Sequence, residues 1–136
     1  MDWEKEQIDI VQFEKDLLIL SSLIAPCKKK YKYIFGIPRG GLIVAVWLSH
    51  QLQIPYIPHL YLPRDPNILI VDDIADTGQT LSNLGLDPFY DTATLYYKKR
   101  SIVKPTYYAR ETNNWIIFPY ERIDEPTNRK RDIECI

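Results

Sequence analysis

The chain has 136 residues, of which 46% are hydrophobic and 26% charged, and 17 Lys and Arg nearly balance 18 Asp and Glu to give a formal net charge of −1. This length fits one domain, and the composition excludes disorder as the default state. The balanced charge argues against a dedicated nucleic-acid binder, and two cysteines with two histidines argue against a zinc cluster.

The first part of the chain has the pattern of a helix, a strand, a glycine turn and a second helix. Apolar residues spaced three and four apart from Ile10 to Ile24 predict an amphipathic helix that ends at Pro26. The three lysines at 28–30 predict a solvated turn. Residues 33–37 predict a short strand, and the long apolar stretch 42–52 beyond the glycines predicts a buried helix.

The second part of the chain continues this alternation. Residues 68–71 form a wholly apolar run, typical of a strand covered on both faces, and a short helical stretch follows at 81–84. Residues 92–97 predict another strand. Strands that alternate with helices indicate one α/β domain with a twisted, mainly parallel sheet of four or five strands. Beyond Pro105 the alternation stops, and residues 115–118 form the last strand-like run.

Neither a membrane span nor a secretion signal is predicted. The longest apolar run, residues 42–48, is far shorter than the roughly 18 residues of a spanning helix. The N-terminal residues Met-Asp-Trp-Glu are acidic and lack the basic start and apolar core of a signal peptide. We therefore expect a cytoplasmic protein with no membrane partner.

The loop after residues 68–71 concentrates polar chemistry. Asp72, Asp73 and Asp76 are followed by Thr-Gly-Gln-Thr, whose backbone N–H groups and hydroxyls at a helix start predict an anion site. Ligands of open α/β sheets bind at the carboxyl ends of the strands. Carboxylates beside an anion site suit vicinal hydroxyls next to a phosphate, as in a ribose 5-phosphate, with or without a divalent cation. An ordinary charged loop is the alternative, and the third carboxylate with the Thr-Gly-x-Thr pattern argues against it.

Three segments resemble type I phosphoribosyltransferases. Residues 68–81, ILIVDDIADTGQTL, resemble the signature of that family for phosphoribosyl pyrophosphate (PRPP). Residues 36–41, GIPRGG, resemble its pyrophosphate loop. Residues 93–98, ATLYYK, together with 115–121, WIIFPYE, are similar to the xanthine–guanine/hypoxanthine (6-oxopurine) type of the family. The matches span about residues 33–121.

The resemblance implies roles for the polar residues and glycines of the first two segments. Asp72 and Asp73 would hold the ribose hydroxyls, and Asp73 would also contact Mg²⁺ directly or through water. The 5′-phosphate would lie among Asp76, Thr77, Gly78, Gln79 and Thr80. The pyrophosphate loop would consist of Pro38, Arg39, Gly40 and Gly41, in which the peptide after the proline is sometimes cis in the family. Arg39 would add positive charge beside pyrophosphate, and Asp76 would act as general base toward the purine.

The third resemblance implies a purine site. Lys98 would donate to a 6-oxo group, Trp115 would stack on the base, and the carbonyl of Ile116 would accept from a 2-amino group. Glu121 occupies a position where an acidic residue contacts Mg²⁺ or its waters. Two alternatives stay open from the residues alone, since Lys99 could replace its neighbour Lys98 and Trp115 could belong to the core.

The resemblance implies an enzyme that transfers the phosphoribosyl group of PRPP to guanine, xanthine or hypoxanthine and releases a nucleoside monophosphate and pyrophosphate, with Mg²⁺. We expect a single domain over residues 1–136, with a core of about 1–104, a small hood of about 105–123 that carries the base site, and a polar tail of 124–136. The apolar helix 42–52 and the tyrosine pairs at 96–97 and 107–108 leave room for a homodimer or larger homo-oligomer.

The connection before the signature strand is shorter than is usual in the family, and this motivates an alternative function. A mobile lid usually joins the strand near residues 57–60 to the signature strand, but here only residues 61–67 fill the gap, and two prolines stiffen them. A lid this short suggests, as the alternative, a non-catalytic PRPP- or nucleotide-binding regulator on the same fold. A receiver-type domain with Asp72 and Asp73 as its magnesium pair is a third reading, and the position of Asp76 in the same loop argues against it.

Overall fold

The first half of the chain forms two strands and two helices in the structure, a computed structural model that describes residues 4–60, 63–83 and 89–121. The elements in order are β1 (Lys5–Gln7), α1 (Ile10–Ile24), a 3-10 helix (Ala25–Lys30), β2 (Tyr33–Gly36) and α2 (Gly40–Leu52). Helix α1 begins after Asp9, whose carboxylate accepts a hydrogen bond from the backbone N–H of Gln12 at 2.8 Å. The helix ends just before Pro26, as its spacing predicts.

The second half of the chain supplies the remaining elements. They are β3 (Ile68–Ala75), α3 (Gln79–Asn83), β4 (Thr92–Tyr97), β5 (Tyr107–Glu111) and β6 (Trp115–Ile117). Strand β3 is longer than predicted, because the acidic residues expected in a loop continue the strand. Asp72 pairs with Thr94 and Ile74 with Tyr96, so pairing with β4 outweighs the weak strand preference of aspartate.

The central sheet has the strand order β2-β3-β4-β5, and all of its neighbours are parallel. This confirms the predicted α/β class and the mainly parallel sheet. The strand expected near residues 57–60 is reduced to one parallel bridge between Tyr56 and Ile34, at the outer edge of β2. Strands β1 and β6 form a separate parallel pair, which we call the second sheet.

The predicted division into core and hood differs from the structure at both ends. Strand β5 lies within the segment assigned to the hood, yet it pairs with β4 in the central sheet. Strand β1, assigned to the core, pairs with β6 in the second sheet, with Glu6 opposite Ile116. Such pairing between distant segments leaves no local sequence signal. The tail 124–136 lies outside the described residues.

The central sheet is covered on both faces. Alternate residues of β3 point to opposite sides, so that Leu69 and Val71 pack with α1 and α2. Ile68 and Ile70 pack on the other face with Leu81 and three further residues, Ile37, Tyr90 and Val103. Burying each large aliphatic side chain contributes about 1.5–3 kcal/mol, which fixes β3 and the position of its carboxyl end.

Helix α2 is only partly buried, which corrects the prediction of a buried helix. Val44, Ala45 and Leu48 face the core, whereas Ile43 and Val46 are exposed. Because apolar residues surround the whole helix, its sequence pattern does not reveal which side faces the sheet. No helix in the described ranges is long and apolar enough to cross a membrane.

A buried carboxylate links α1 to the sheet. Asp16 is fully buried and accepts hydrogen bonds from the hydroxyl of Tyr96 at 2.5 Å, from Nε of Arg110 at 3.3 Å and from the side-chain amide of Gln12 at 3.0 Å. Three donors compensate the loss of hydration of this carboxylate. The cluster fixes α1 against β4 and β5.

Candidate active site

Three chain segments meet at the carboxyl edge of the central sheet. The N–H of Ile37, after β2, donates to the carbonyl of Val71 at 2.8 Å, and the N–H of Lys98, after β4, donates to the carbonyl of Ala75 at 2.9 Å. Between them, residues 72–78 with Thr80 and Leu81 line a cavity of about 220 Å³. The three motifs that the sequence analysis singled out in residues 36–98 therefore lie side by side.

Asp72 and Asp73 have their carboxylates turned toward the backbone of the same strand. Oδ1 of Asp72 accepts from the N–H of Asp73 at 2.9 Å, and Oδ1 of Asp73 accepts from the N–H of Ile74 at 2.8 Å. Burial, and then the neighbouring carboxylate of Asp73, raise the pKa of Asp72 to about 8. An ionised pair here is unfavourable until a ligand supplies hydrogen-bond donors or positive charge.

The glycines after β2 allow α2 to approach this acidic pair. A Cβ on Gly40 would collide with the carboxylate of Asp73, and a Cβ on Gly41 would lie 2.5 Å from the carbonyl oxygen of Val71. Only glycine fits at such distances. The peptide bond between Pro38 and Arg39 is cis, in agreement with the resemblance, and Arg39 is exposed at the start of α2.

The loop after β3 is fixed by the segment that follows β4. Gly78 has a φ of +80°, and a Cβ there would lie 2.7 Å from Oγ of Ser101. The carbonyl of Thr77 accepts from the N–H of Ile102 at 2.9 Å, and its hydroxyl accepts from the N–H of Gln79 at 3.3 Å. Glycine is therefore required both by the backbone conformation and by the close contact.

Two cations hold Asp76. Its Oδ1 accepts from Nε of Arg100 at 2.7 Å and also from Nη2, and its Oδ2 lies 3.4 Å from Nζ of Lys98. Lys98 is only 4% exposed, whereas Lys99 is turned away toward Glu111. Of the two lysines, Lys98 therefore lies beside Asp76 at the carboxyl edge of the sheet, and its role toward the base stays a prediction. Arg100 was missed because its only signal was a short basic cluster that also fits solvated surface.

The second sheet carries the residues expected at the base. Trp115 is 56% exposed, which contradicts a core position, and Nζ of Lys5 lies 5.3 Å from the centre of its ring. Ile116 is buried beside it. Because Trp115 is paired with Lys5 across the two strands, one part of its ring surface is already covered.

The residue that reaches the acidic pair from the segment after β6 is Tyr120. Its hydroxyl donates to Oδ2 of Asp73 at 2.9 Å, and burial together with that carboxylate raises the pKa of Tyr120, so the hydroxyl stays protonated. Glu121 instead accepts from the N–H of Phe118 at 2.9 Å. The described residues contain no group of three or more His, Cys, Asp or Glu that could hold a metal ion. Sequence reasoning missed Tyr120, whose only signal was its place beside Glu121.

Comparison with known proteins identifies the family, although the chain matches no protein-family model. The chain is 30% identical to a xanthine-guanine phosphoribosyltransferase of Cereibacter sphaeroides, over 71% of this chain and 72% of the relative. It is 28% identical to the xanthine-guanine phosphoribosyltransferase of Nitratidesulfovibrio vulgaris, over 69% of this chain and 71% of the relative. The chain belongs to the purine phosphoribosyltransferase family.

A solved structure agrees with this assignment. The crystal structure of a purine phosphoribosyltransferase from Pyrococcus horikoshii has a TM-score of 0.73 with this chain, is 29% identical, and is matched over 93% of this chain and 99% of its own. The family membership confirms that the chain is a phosphoribosyltransferase enzyme. A regulator without catalytic activity is accordingly not favoured.

Proposed function

We propose that this phosphoribosyltransferase transfers the phosphoribosyl group of PRPP to a 6-oxopurine (guanine, xanthine or hypoxanthine) and releases a nucleoside monophosphate and pyrophosphate. The observation that carries the proposal is the meeting of three features at one sheet edge. These features are the acidic pair Asp72–Asp73, the glycine turn at the start of α2, and Lys98 beside Asp76. Each supplies a different part of the recognition of the two substrates.

The acidic pair suits the ribose diol. Two hydroxyl donors stabilise carboxylates whose ionisation is otherwise opposed by burial and mutual repulsion, as the raised pKa of Asp72 indicates. The 5′-phosphate would lie among Asp76, Thr77, Gly78, Gln79 and Thr80, of which all but Gln79 line the cavity beside Asp73. The ribose would then lie at Asp72 and Asp73, and its 5′-phosphate at residues 76–80, which follow them in the chain.

The leaving pyrophosphate would lie against residues 38–41. Breaking its bond to C1 of ribose builds positive charge on the sugar and negative charge on the leaving group. The start of α2 and the guanidinium of Arg39, its N-cap residue, would supply positive charge to the leaving group. Gly40 and Gly41 let this turn lie directly against the acidic pair.

Mg²⁺ is proposed as the cofactor, with Asp73 as its protein ligand. Magnesium in such sites is held by one or two carboxylates, and the remaining ligands come from substrate phosphates and water. The donor set of this site fits that pattern, because Asp72 and Asp73 offer an adjacent pair of carboxylates. When bound with PRPP, the ion would neutralise charge on pyrophosphate. Glu121 would have to release the N–H of Phe118 to take part.

Lys98 favours a 6-oxopurine over adenine. An ammonium group donates hydrogen bonds and accepts none, so it recognises a carbonyl oxygen and not an amino group. Trp115 offers exposed ring surface for stacking on the base, and the carbonyl of Ile116 is proposed to accept from a 2-amino group. Asp76 would receive the proton of the purine imidazole nitrogen, a general-base role that contributes about 10²–10⁴-fold in general.

Incubation of the purified protein with PRPP, Mg²⁺ and single bases tests this proposal. Guanine, xanthine or hypoxanthine should give the matching monophosphate together with pyrophosphate, and adenine should give far less product. Absence of product with every base would contradict the proposal. Saturable PRPP binding without product would be the result that favours a regulator, which family membership does not favour. In the short segment 61–67, Arg64 lies over the ring of Phe89, and its guanidinium carbon is 5.5 Å from the ring centre. Residues 61 and 62 of this segment lie outside the described ranges.

A homodimer is proposed on the exposed side of α2. An apolar groove of about 630 Å³ runs along the helix and is lined by Leu42, Ile43, Val46, Trp47, His50 and Gln51. Of the tyrosine pairs, Tyr96 is fully buried and so cannot reach a partner, and Tyr97 packs on Tyr108 within the subunit. Light scattering should show a dimer for the native chain and a monomer for Val46→Glu.

A cytoplasmic location also stays a prediction, which cell fractionation would test.

A further inference from the structure

We propose that Tyr120 is a positioning residue that fixes the carboxylate of Asp73 in the orientation that PRPP requires. The inference rests on the proposed function, because it assumes that Asp73 binds the ribose or its metal ion. It adds a residue to which neither the resemblance nor the comparisons assign a role.

The orientation of the Asp73 carboxylate is set by its neighbours. The terminal torsion of an aspartate is broad and has no strong preference of its own, so hydrogen bonds decide it. The N–H of Ile74 holds Oδ1 at 2.8 Å, and the backbone of Gly40 lies against the carboxylate. The hydroxyl of Tyr120 holds Oδ2 at 2.9 Å. Removing that hydroxyl leaves one oxygen of the carboxylate without its fixed donor.

The ring of Tyr120 is itself held in place. It stacks on Phe118 with 5.3 Å between ring centres and 8° between planes, and it meets the edge of Phe13 on α1 at 6.0 Å. Phe118 in turn stacks on Tyr96 at 5.7 Å. A tyrosine has only two soft torsions, and aromatic packing restricts both, so the hydroxyl has a defined position.

Tyr120 can keep this bond when the ligand is present. A phenolic hydroxyl that donates its hydrogen still has lone pairs that accept. While it donates to Asp73, the oxygen can accept from a ribose hydroxyl or from a water on the metal ion. Tyr120 therefore supports the ligand and does not compete with it. Tyr120 also follows Trp115 and Ile116 in the chain, so one segment joins the proposed base site to the proposed diol site.

The matched variants are Tyr120→Phe and Tyr33→Phe. Tyr120→Phe keeps the ring stack and removes only the hydroxyl. Tyr33 is 40% exposed against 38% for Tyr120 and lies on β2, outside the proposed site, so it is the control. Calorimetry with PRPP and Mg²⁺ measures the dissociation constant of each variant without turnover. We expect Tyr120→Phe to raise it roughly tenfold, since the bond lost is charge-assisted, and Tyr33→Phe to leave it within about twofold.

A double-mutant cycle separates positioning from a general structural effect. In an Asp73→Asn background, Tyr120→Phe should change PRPP binding by less than about twofold, because the carboxylate that it positions is already gone. An equal loss in both backgrounds overturns the inference. So does a Tyr120→Phe protein that binds PRPP as well as the native chain, or more tightly.

The same measurements distinguish failure of the inference from failure of the proposed function. If the native chain does not bind PRPP, the proposed function fails. If Asp73→Asn binds as well as the native chain, the proposed role of Asp73 fails, and the inference fails with it. If the native chain binds, Asp73→Asn binds weakly and Tyr120→Phe is unchanged, only the inference fails.

Discussion

Nζ of Lys98 lies 3.4 Å from Oδ2 of Asp76, although the two residues follow different strands. The register of β3 against β4 explains why they meet. Ala75 is opposite Tyr97, and Asp76 and Lys98 are the next residues after this pair, just beyond the ends of their respective strands. The proposed general base and the proposed ligand of the 6-oxo group are therefore neighbours before any substrate is present. A base bound beside this pair would contact both groups.

Replacing Lys98 should weaken the reaction with 6-oxopurines. Lys98→Gln removes the charge of a residue that is 4% exposed, and we expect at least a tenfold loss of kcat/KM with guanine or hypoxanthine. Lys99→Gln is the matched control, because Lys99 is turned to Glu111 and should keep nearly full activity. Steady-state kinetics on both variants checks this. Equal losses in the two would show that the effect is not specific to the site.

Asp72→Asn should make the protein more stable and less able to bind. Burial and the neighbouring Asp73 raise the pKa of Asp72, so its charge opposes folding at neutral pH. An asparagine keeps an oxygen that accepts from the N–H of Asp73 and removes that charge, for a gain of roughly 1–2 kcal/mol. Thermal unfolding of the metal-free protein measures the gain, and calorimetry should show PRPP binding weakened by about tenfold or more.

Asp65→Asn is the control for that substitution. Oδ1 of Asp65 also accepts from a backbone N–H, that of Asn67 at 2.9 Å, but the residue lies in a loop away from the acidic pair. Its replacement should neither raise the melting temperature nor weaken PRPP binding. If Asp72→Asn melts lower than the native chain, the acidic pair does not oppose folding as we infer.

Tyr96→Phe should destabilise the fold without involving the site. The hydroxyl of Tyr96 donates to the fully buried Asp16 at 2.5 Å, and a buried carboxylate that loses a donor costs roughly 1.5–3 kcal/mol. Arg110 remains as a partner of Asp16, so the lower end of that range is expected. Urea unfolding compared with Tyr33→Phe measures the loss. A change below about 0.5 kcal/mol would show that the network contributes little.

The ion pair between Lys30 and Asp91 should make stability fall in acid. Burial alone would raise the pKa of Asp91, but hydrogen bonds from Lys30 at 2.7 Å and Tyr31 at 2.6 Å outweigh it, and the pKa is lowered. A lowered pKa means that the folded state binds the proton less readily than the unfolded state. The stabilisation is therefore present above the ordinary aspartate pKa, about 3.9, and is lost as the pH falls below it.

Asp91→Asn gives the measurement for this prediction. Near pH 7 the variant should be less stable than the native chain, and the difference should shrink as the pH is lowered below about 4. Chemical unfolding at several pH values follows the difference directly. A gap that stays constant from pH 7 to pH 3 would mean that the charge of Asp91 contributes nothing.

The sequence alone determined the parts of this protein that are encoded in contiguous residues. Strands that alternate with helical stretches predicted the parallel α/β fold, and the acidic residues and glycines after the strands carry the proposed site. Local signals suffice here because a strand, a turn with positive φ at Gly78 and a helix start each depend on a few neighbouring side chains. The short α3 and the end of α1 at Pro26 were predicted for the same reason.

Only the tertiary structure decided which distant residues meet. Strand β1 joins β6, β5 extends the central sheet, Lys98 and not Lys99 faces Asp76, and the hydroxyl of Tyr120 reaches Asp73 from 47 positions away. Asp16 and Tyr96, which are 80 positions apart, meet in the core. Such contacts depend on how whole helices and strands pack against one another. The apolar face of one element could be buried against several different neighbours, so the local sequence does not specify which neighbour it contacts.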